Sequence, residues 1–232
     1  MATAVNTFSA TESTVDYVIT EEEVKDFTAA DASRHPYCIW KRIIDVFLAV
    51  NGLLILAVPM GIIALAAYID DPGNIIFSQK RVGMNGKIFR LYKFRTMRLD
   101  TPKYVATGDM QNPNQYITRV GKILRKLSLD EIPQLVNVIK GDMSLVGPRP
   151  LIPGERPIHD MRLRFGVYTV RPGVTGLAQV NGRDTVQPVD KVRYDLQYVQ
   201  NFGLGMDCKI IFSTVPKVFA GSGVVEGKNT KN

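Results

Sequence analysis

Ile43 to Ile69 read IIDVFLAVNGLLILAVPMGIIALAAYI, a run of 27 residues whose only charge is Asp45. Wound as a helix it would be roughly 40 Å long, against about 30 Å for a bilayer core. A buried core helix is the alternative, but this length and apolarity favour membrane insertion. Pro59 removes a backbone donor and divides the run into pieces of roughly 24 Å and 15 Å, neither long enough to span alone. Lys41 and Arg42 precede the run, and Lys80, Arg81, Lys87, Arg90, Lys93, Arg95 and Arg98 follow it. Basic residues near both ends favour both ends on the cytoplasmic side. The reading is therefore a membrane anchor over residues 39–70, kinked at Pro59, re-entrant in preference to single-span.

Outward from the anchor, the charge is uneven. The chain has 232 residues and a formal charge of +7. Its first 40 residues nevertheless hold seven acids against Lys25 and Arg34. Residues 1–38 read as an acidic, weakly ordered extension without the basic flank and apolar core of a signal peptide. The body is basic, which suits anionic partners. Nucleic acid fits poorly, because aromatics do not interleave with the charges as in a stacking platform. Two distant cysteines, Cys38 and Cys208, and two isolated histidines, His35 and His159, argue against a disulfide framework, a zinc site and a Ser-His-Asp or Cys-His centre.

After a turn at Asp71-Pro72-Gly73-Asn74, residues 75–97 read as two strands around Asn85-Gly86, both of which tolerate positive φ. Period two puts Phe89, Leu91, Lys93 and Arg95 on one face, two of them cations at the strand end. Residues 99–116 read as a loop and 117–126 as a short basic helix.

The stretch KLSLDEIPQLVNVIKGDMSLVGPRP, Lys126 to Pro150, carries the chemistry. Ser128 and Glu131 fit a capping box, Gly141 fits a helix stop, and Ile132, Leu135, Val136 and Ile139 give an apolar face. Asp130 and Glu131 are thereby expected in a first helical turn. Acids are common there for dipole reasons alone, but a carboxylate can also attack phosphorus and a neighbouring one can hold Mg²⁺. Arg149, between Pro148 and Pro150, has a restricted backbone and a guanidinium suited to phosphate. In RPGVTGLAQVNGRD, Arg171 to Asp184, the glycines and arginines fit either a phosphate cradle or ordinary turns, and match no P-loop or dinucleotide fingerprint. Residues 191–201 look helical. In 206–219 an apolar face of Met206, Ile210, Ile211, Val215, Val218 and Phe219 suits core packing ahead of the lipid interface.

These blocks, in this order, resemble the bacterial sugar transferases, also called monotopic phosphoglycosyl transferases or polyprenyl-phosphate hexose-1-phosphate transferases. The matching text is KRIIDV, FSQKRVGMNGKIFRLYKFRTM, LRKLSLDEIPQLVNVIKGDMSLVGPRP, RPGVTGLAQVNGR, YDLQYVQN and MDCKIIFSTV, covering Trp40 to Phe219. The resemblance implies an α+β fold, a small mixed catalytic domain over residues 71–232 attached to the anchor. It implies transfer of a sugar 1-phosphate from a UDP-sugar to undecaprenyl phosphate at the cytoplasmic face of the inner membrane, with UMP released. This is the first membrane step of capsule, exopolysaccharide or O-antigen synthesis. The family's Asp-Glu pair falls on Asp130, the implied nucleophile, and Glu131, the implied Mg²⁺ ligand. Arg149 is the implied phosphate contact, with Lys93, Arg95 and Arg183 as further members of the anionic pocket. Where many relatives have Ser-Pro at the membrane bend, this chain has Val58-Pro59. A non-catalytic basic membrane adaptor is the competing reading, and self-association into a homo-oligomer is left open.

Overall fold

The computed structural model describes residues 20–101, 115–182 and 186–220. The apolar run is the middle of one helix, α1 (Tyr37–Asp70), which continues through Pro59. Among the described residues it is the one helix long and apolar enough to cross a membrane. Its buried residues are Lys41, Asp45, Ala49 and Ala67, the first three spaced four apart on one stripe. The rest of its surface is bare: Phe47, Leu54, Ile55, Val58, Ile62, Leu65 and Ile69 all stand exposed, Ile55 at 76%.

What the domain does hold of α1 is its two ends. At the first, Lys41 Nζ lies 2.5 Å from Asp207 Oδ2 and 3.8 Å from Asp45 Oδ1. Asp45, the one charge inside the apolar run, accepts from Ser144 Oγ at 2.7 Å and from the Leu145 N–H at 3.2 Å. Asp207 also accepts from the hydroxyls of Tyr37 and Tyr198, each at 2.9 Å. Arg42 donates to the carbonyls of Val138 and Ile139, at a helix C-terminus where the dipole favours a cation. At the other end, the Asp70 carboxylate accepts the Val120 N–H at 2.8 Å, and Arg95 pairs with the Asp71 carboxylate and carbonyl.

The remaining elements make an α+β domain. Strands β1 (Ile76–Val82) and β2 (Ile88–Phe94) form an antiparallel hairpin pairing Val82 with Ile88 and Phe77 with Lys93. Asn85 and Gly86 carry φ of 56° and 72°, as a tight hairpin loop requires. Helix α2 (Arg119–Lys126) starts at Thr118, whose side chain caps the Gly121 N–H at 2.9 Å. Helix α3 (Gln134–Lys140) stops at Gly141, φ 91°, as expected. Strands β3 (Ser144–Val146) and β4 (Gly173–Thr175) form a two-residue parallel ladder. Helices α4 (Arg156–Arg164), α5 (Leu177–Val180), α6 (Pro188–Gln200) and α7 (Leu204–Ala220) complete the body.

Apolar packing falls into three clusters. Ala49 of α1 meets Phe89, Leu91, Val138 and Met143, which seats the anchor on the hairpin and α3. A second cluster joins Val146, Val170, Tyr198, Val199 and Ile210. The third unites Ile158, Met161 and Phe165 with Val192 and Leu196, and Val24 closes it from outside. The leading segment meets this cluster through Val24, Phe27 and Ala30: the Phe27 ring meets Phe165 edge-on, and the Ala30 N–H donates to the Phe165 carbonyl at 3.1 Å. Its acids do not prevent this, because they stay on the outside, where Glu21 pairs with Arg164. Residues 1–19 lie outside the described residues. Along α7, the expected core face is divided: Ile210 is fully buried while Ile211 and Val215 are exposed, and Phe212, outside that face, is exposed at 76%.

Lys41→Met removes the cation that faces two buried carboxylates. The expected cost is about 3–5 kcal/mol, seen as a lowered midpoint in unfolding of the detergent-solubilised protein. An unchanged midpoint would show that the ion cluster at the head of α1 carries no weight.

Candidate active site

Three pieces of backbone converge on Asp130. The first is the turn that carries it. Ser128 sits in the left-handed region at φ 54° and makes no side-chain cap bond, so the expected capping box is absent. Asp130 and Glu131 lie in a separate 3-10 turn, Leu129–Glu131, ahead of α3. Pro133 is the reason: without an N–H it cannot donate to Leu129, so one helix from 128 to 140 is broken in two. The Ile132, Leu135 and Val136 N–H groups accordingly bond three residues back.

The second piece is the hairpin, held beneath this turn by Asn137. That fully buried amide accepts the Tyr92 N–H at 3.0 Å and donates to the Arg90 carbonyl at 2.7 Å, supplying β2 with the bonds a further strand would make. Lys93 is thereby brought to Asp130, its ammonium 5.3 Å above the Phe77 ring. The third piece is α2. A Cβ on Gly121 would lie 2.2 Å from the Thr96 carbonyl oxygen, so glycine alone permits this approach, and Arg125 one turn on bonds Thr96 Oγ1 at 2.9 Å.

Arg149 closes the site from the far side, its guanidinium 3.2 Å from Glu131 Oε1. Its side chain is 42% exposed against 15% for Glu131, so an arriving anion meets the arginine first. Asp130 itself is buried, with 8% of its surface exposed. Burial, then the neighbouring Glu131 charge, push its carboxyl up to about 6, while Lys93, Arg125 and Arg149 pull the other way. Burial also lowers the Lys93 ammonium to about 8, although Asp130 opposes this. The Arg81 guanidinium, beside Arg149, is lowered to about 10, chiefly by burial. A carboxylate held in a sparsely solvated, cation-rich turn is equipped to attack an electrophile that brings negative charge with it.

Of the residues expected from the sequence, Asp130, Glu131, Lys93 and Arg149 come together here. Arg95 is engaged elsewhere, on Asp71 and on the Asn74 carbonyl, where it ties the end of α1 to the hairpin. Arg183 lies outside the described residues. Arg81 and Arg125 are in the site and were not foreseen. A two-residue Asn85-Gly86 loop would pair Met84 with Lys87, but the Gly83 N–H instead donates to the Lys87 carbonyl at 2.8 Å. That shift of one residue sets Arg81 opposite Phe89, on the face of Lys93. For Arg125 a signal existed: it follows Gly121 by four, on the buried side of α2. The glycines of 171–184 split similarly. Gly173 and Gly176 press on Gly147, where an added Cβ would lie 2.1 Å from backbone atoms, so they seat the arginine turn instead of cradling a ligand.

The model of the family described as bacterial sugar transferase matches residues 36–221. The chain belongs to that family. Among its relatives, the exopolysaccharide production protein ExoY of Rhizobium meliloti is 40% identical over 193 residues, 77% of this chain and 84% of that protein. The UDP-glucose:undecaprenyl-phosphate glucose-1-phosphate transferase of Escherichia coli is 41% identical over 190 residues, 77% of this chain and 40% of the longer relative. The UDP-N-acetylgalactosamine-undecaprenyl-phosphate N-acetylgalactosaminephosphotransferase of Aeromonas hydrophila is 38% identical over 196 residues, 81% and 45% of the two chains. As a bacterial sugar transferase the chain is an enzyme.

The raised Asp130 carboxyl has a consequence for stability. The unfolded chain releases this proton near the ordinary carboxyl value of 3.8, the folded one only near 6. Above pH 6 the folded state therefore carries the whole cost of the buried charge, and below pH 3.8 none of it. Asp130→Asn should accordingly stabilise the protein at pH 8 by ~1–3 kcal/mol, with the gain shrinking as pH falls through 6. Denaturant titrations at pH 8 and pH 5 check this.

Proposed function

We propose that the chain transfers a sugar 1-phosphate from a UDP-sugar to undecaprenyl phosphate, through a phosphosugar ester on Asp130. In the first half-reaction an Asp130 oxygen attacks the phosphorus that bears the sugar. The phosphoanhydride bond breaks, and UMP departs with the bridging oxygen. In the second half-reaction a phosphate oxygen of the lipid attacks the same phosphorus, a new phosphoanhydride forms, and the Asp130 carboxylate is regenerated. One anhydride is exchanged for another, so no further energy source is needed. Exopolysaccharide or capsule assembly is the pathway class, in keeping with the names of the relatives.

The single observation that carries this reading is the buried Asp130 carboxylate beside Glu131, with Lys93, Arg125 and Arg149 near enough to act on its charge. Those cations suit the diphosphate of the donor and the charge that spreads over the transferred group. Arg149, paired with Glu131 yet partly exposed, is the group best disposed to take a phosphate by bidentate bonds. Lys93, with its raised share of neutral form, lies nearest the nucleophile in charge effect and steadies its anion.

Mg²⁺ suits this donor set. The described residues contain no cluster of three or more acid, His or Cys ligands. Mg²⁺ ordinarily needs only one or two carboxylates when the substrate's phosphates supply the rest. Glu131 would hold it, with Asp130 adjacent. The ion would neutralise diphosphate charge and ease departure of UMP. Arg95, engaged with Asp71 and the Asn74 carbonyl, takes no part in the steps above.

The same reading accounts for the anchor. A lipid acceptor keeps its phosphate at the headgroup level, and an enzyme that must reach it gains from sitting there. Support comes from the bare apolar surface of α1 and from Leu204, Ile211, Phe212 and Val215 exposed along α7. Bonds from both ends of α1 to one domain favour a helix that enters and returns on one side, the cytoplasmic face, where nucleotide sugars are made.

Incubation with the true UDP-sugar alone should yield protein heavier by one sugar phosphate in intact-mass spectra, and Asp130→Asn should yield none. An adduct that persists in that variant would remove Asp130 from the role of nucleophile. Turnover, read as UMP release, should rise with pH to half its plateau near 6 as Asp130 ionises, and fall again near 8 as Lys93 loses its charge. A profile flat from pH 5 to 9 would contradict both assignments.

A further inference from the structure

The Pro148-Arg149-Pro150 turn is held in an unusual way. Its prolines have no N–H, so they can be gripped only through carbonyls. All three carbonyls of the turn are occupied. The Gly173 N–H donates to that of Pro148 at 3.0 Å, Arg162 Nη1 to that of Arg149 at 2.9 Å, and Arg81 Nη1 to that of Pro150 at 3.1 Å. Arg162 is the most deeply placed of these donors. It projects from α4 with 2% of its side chain exposed, and its second nitrogen lies 2.5 Å from Asp195 of α6, itself 1% exposed. The helices that carry the pair pack through Ile158, Met161, Val192 and Leu196, and the Tyr168 hydroxyl also lies against Arg162.

A buried ion pair is a poor stabilising device, because desolvation of two charges consumes most of the Coulomb gain, and apolar residues of similar volume often serve as well. What apolar residues could not do is hold a carbonyl. We propose that Arg162, fixed by Asp195, is a positioning residue for the transfer reaction: it locks the Arg149 peptide, and through it the direction in which the Arg149 guanidinium meets Glu131 and the incoming phosphate. This rests on the function proposed above, and it adds two residues that never touch the substrate. Misplacement of a binding group by about 1 Å can cost on the order of 100-fold in rate, so a rigid peptide behind Arg149 has a catalytic consequence.

The test is a double-mutant cycle on the full chain in lipid nanodiscs, with UDP-sugar, undecaprenyl phosphate and Mg²⁺. Arg162→Met combined with Asp195→Leu removes both buried charges together. Its kcat is expected to fall about 10- to 100-fold with the thermal midpoint held, and to fall less than about 3-fold further when introduced into Arg149→Ala. Undiminished kcat, or the same loss with and without Arg149, would overturn the proposal. If that variant does not fold, Arg162→Lys supplies the test. A lysine keeps the charge beside Asp195 but has no planar fork to bond the carboxylate and the carbonyl together. It should show the same dependence on Arg149, and full activity would overturn the proposal. Hydrogen exchange needs no substrate: residues 145–151 should exchange faster in the variant, and α4 and α6 unchanged. If wild type releases no UMP with any donor, the function reading fails, and unaltered exchange at 145–151 would still overturn the clamp independently.

Discussion

The apolar surface of α1 has to be covered by something, and the domain covers only a stripe of it. Burial of apolar area is the main favourable term in folding, about 25 cal/mol per Å², and a helix that leaves Ile55, Val58, Ile62 and Leu65 bare does not make that gain within the domain. The helix nevertheless persists through Pro59, which takes one N–H donor out of its ladder. Beyond the packing of Ala49, both ends of the helix are fastened to the domain by charged groups. Lys41, Asp45 and Asp207 at one end, and Asp70, Asp71 and Arg95 at the other, are those fastenings.

The position of the candidate site follows from this seating. Ala49 packs on Val138 and Met143, and Arg42 caps α3, so α3 is fixed relative to the anchor. The turn bearing Asp130 and Glu131 directly precedes α3, while α2, which brings Arg125, begins at the Asp70 carboxylate. The two halves of the site are thus each referred to one end of α1. Asn137 adds the third reference by filling the bonding edge of β2, which sets Lys93. Electrostatics then shape Asp130: burial and Glu131 suppress its ionisation, and the cations limit the rise of its carboxyl to about 6. Neither influence alone would give a carboxylate both ionised and poorly solvated.

The arginines illustrate how little the charge count says about role. Arg149 and Arg125 face the site, Arg81 faces it while gripping the turn from behind, Arg95 fastens the anchor, and Arg162 is sealed in the core with Asp195. A guanidinium has five donors in a plane, and here the planar fork is used as often on backbone carbonyls as on carboxylates. The basic composition of the body is therefore partly structural, a means of tying together turns that prolines have stripped of donors.

Much was legible in the chain itself. Local rules fixed the apolar helix, the Asn85-Gly86 hairpin, the stop at Gly141 and the adjacency of Asp130 to Glu131, because each depends on spacing within a few residues. Family motifs in Lys126–Pro150 and the hairpin pointed to Lys93 and Arg149 beside them. Only the tertiary structure decided the rest. The Leu129–Glu131 turn separated from α3 because Pro133 lacks a donor, a local effect masked by a good capping pattern. Arg81 joined the site through a one-residue change in hairpin register, and Arg95 left it because Asp71 at the end of α1 is its stronger partner. Arg162 and Asp195 stand 33 positions apart on helices that only the folded core brings together. Spacing along a chain fixes what a segment can become, but which charges meet depends on approach between distant segments, and no pattern of neighbours encodes that.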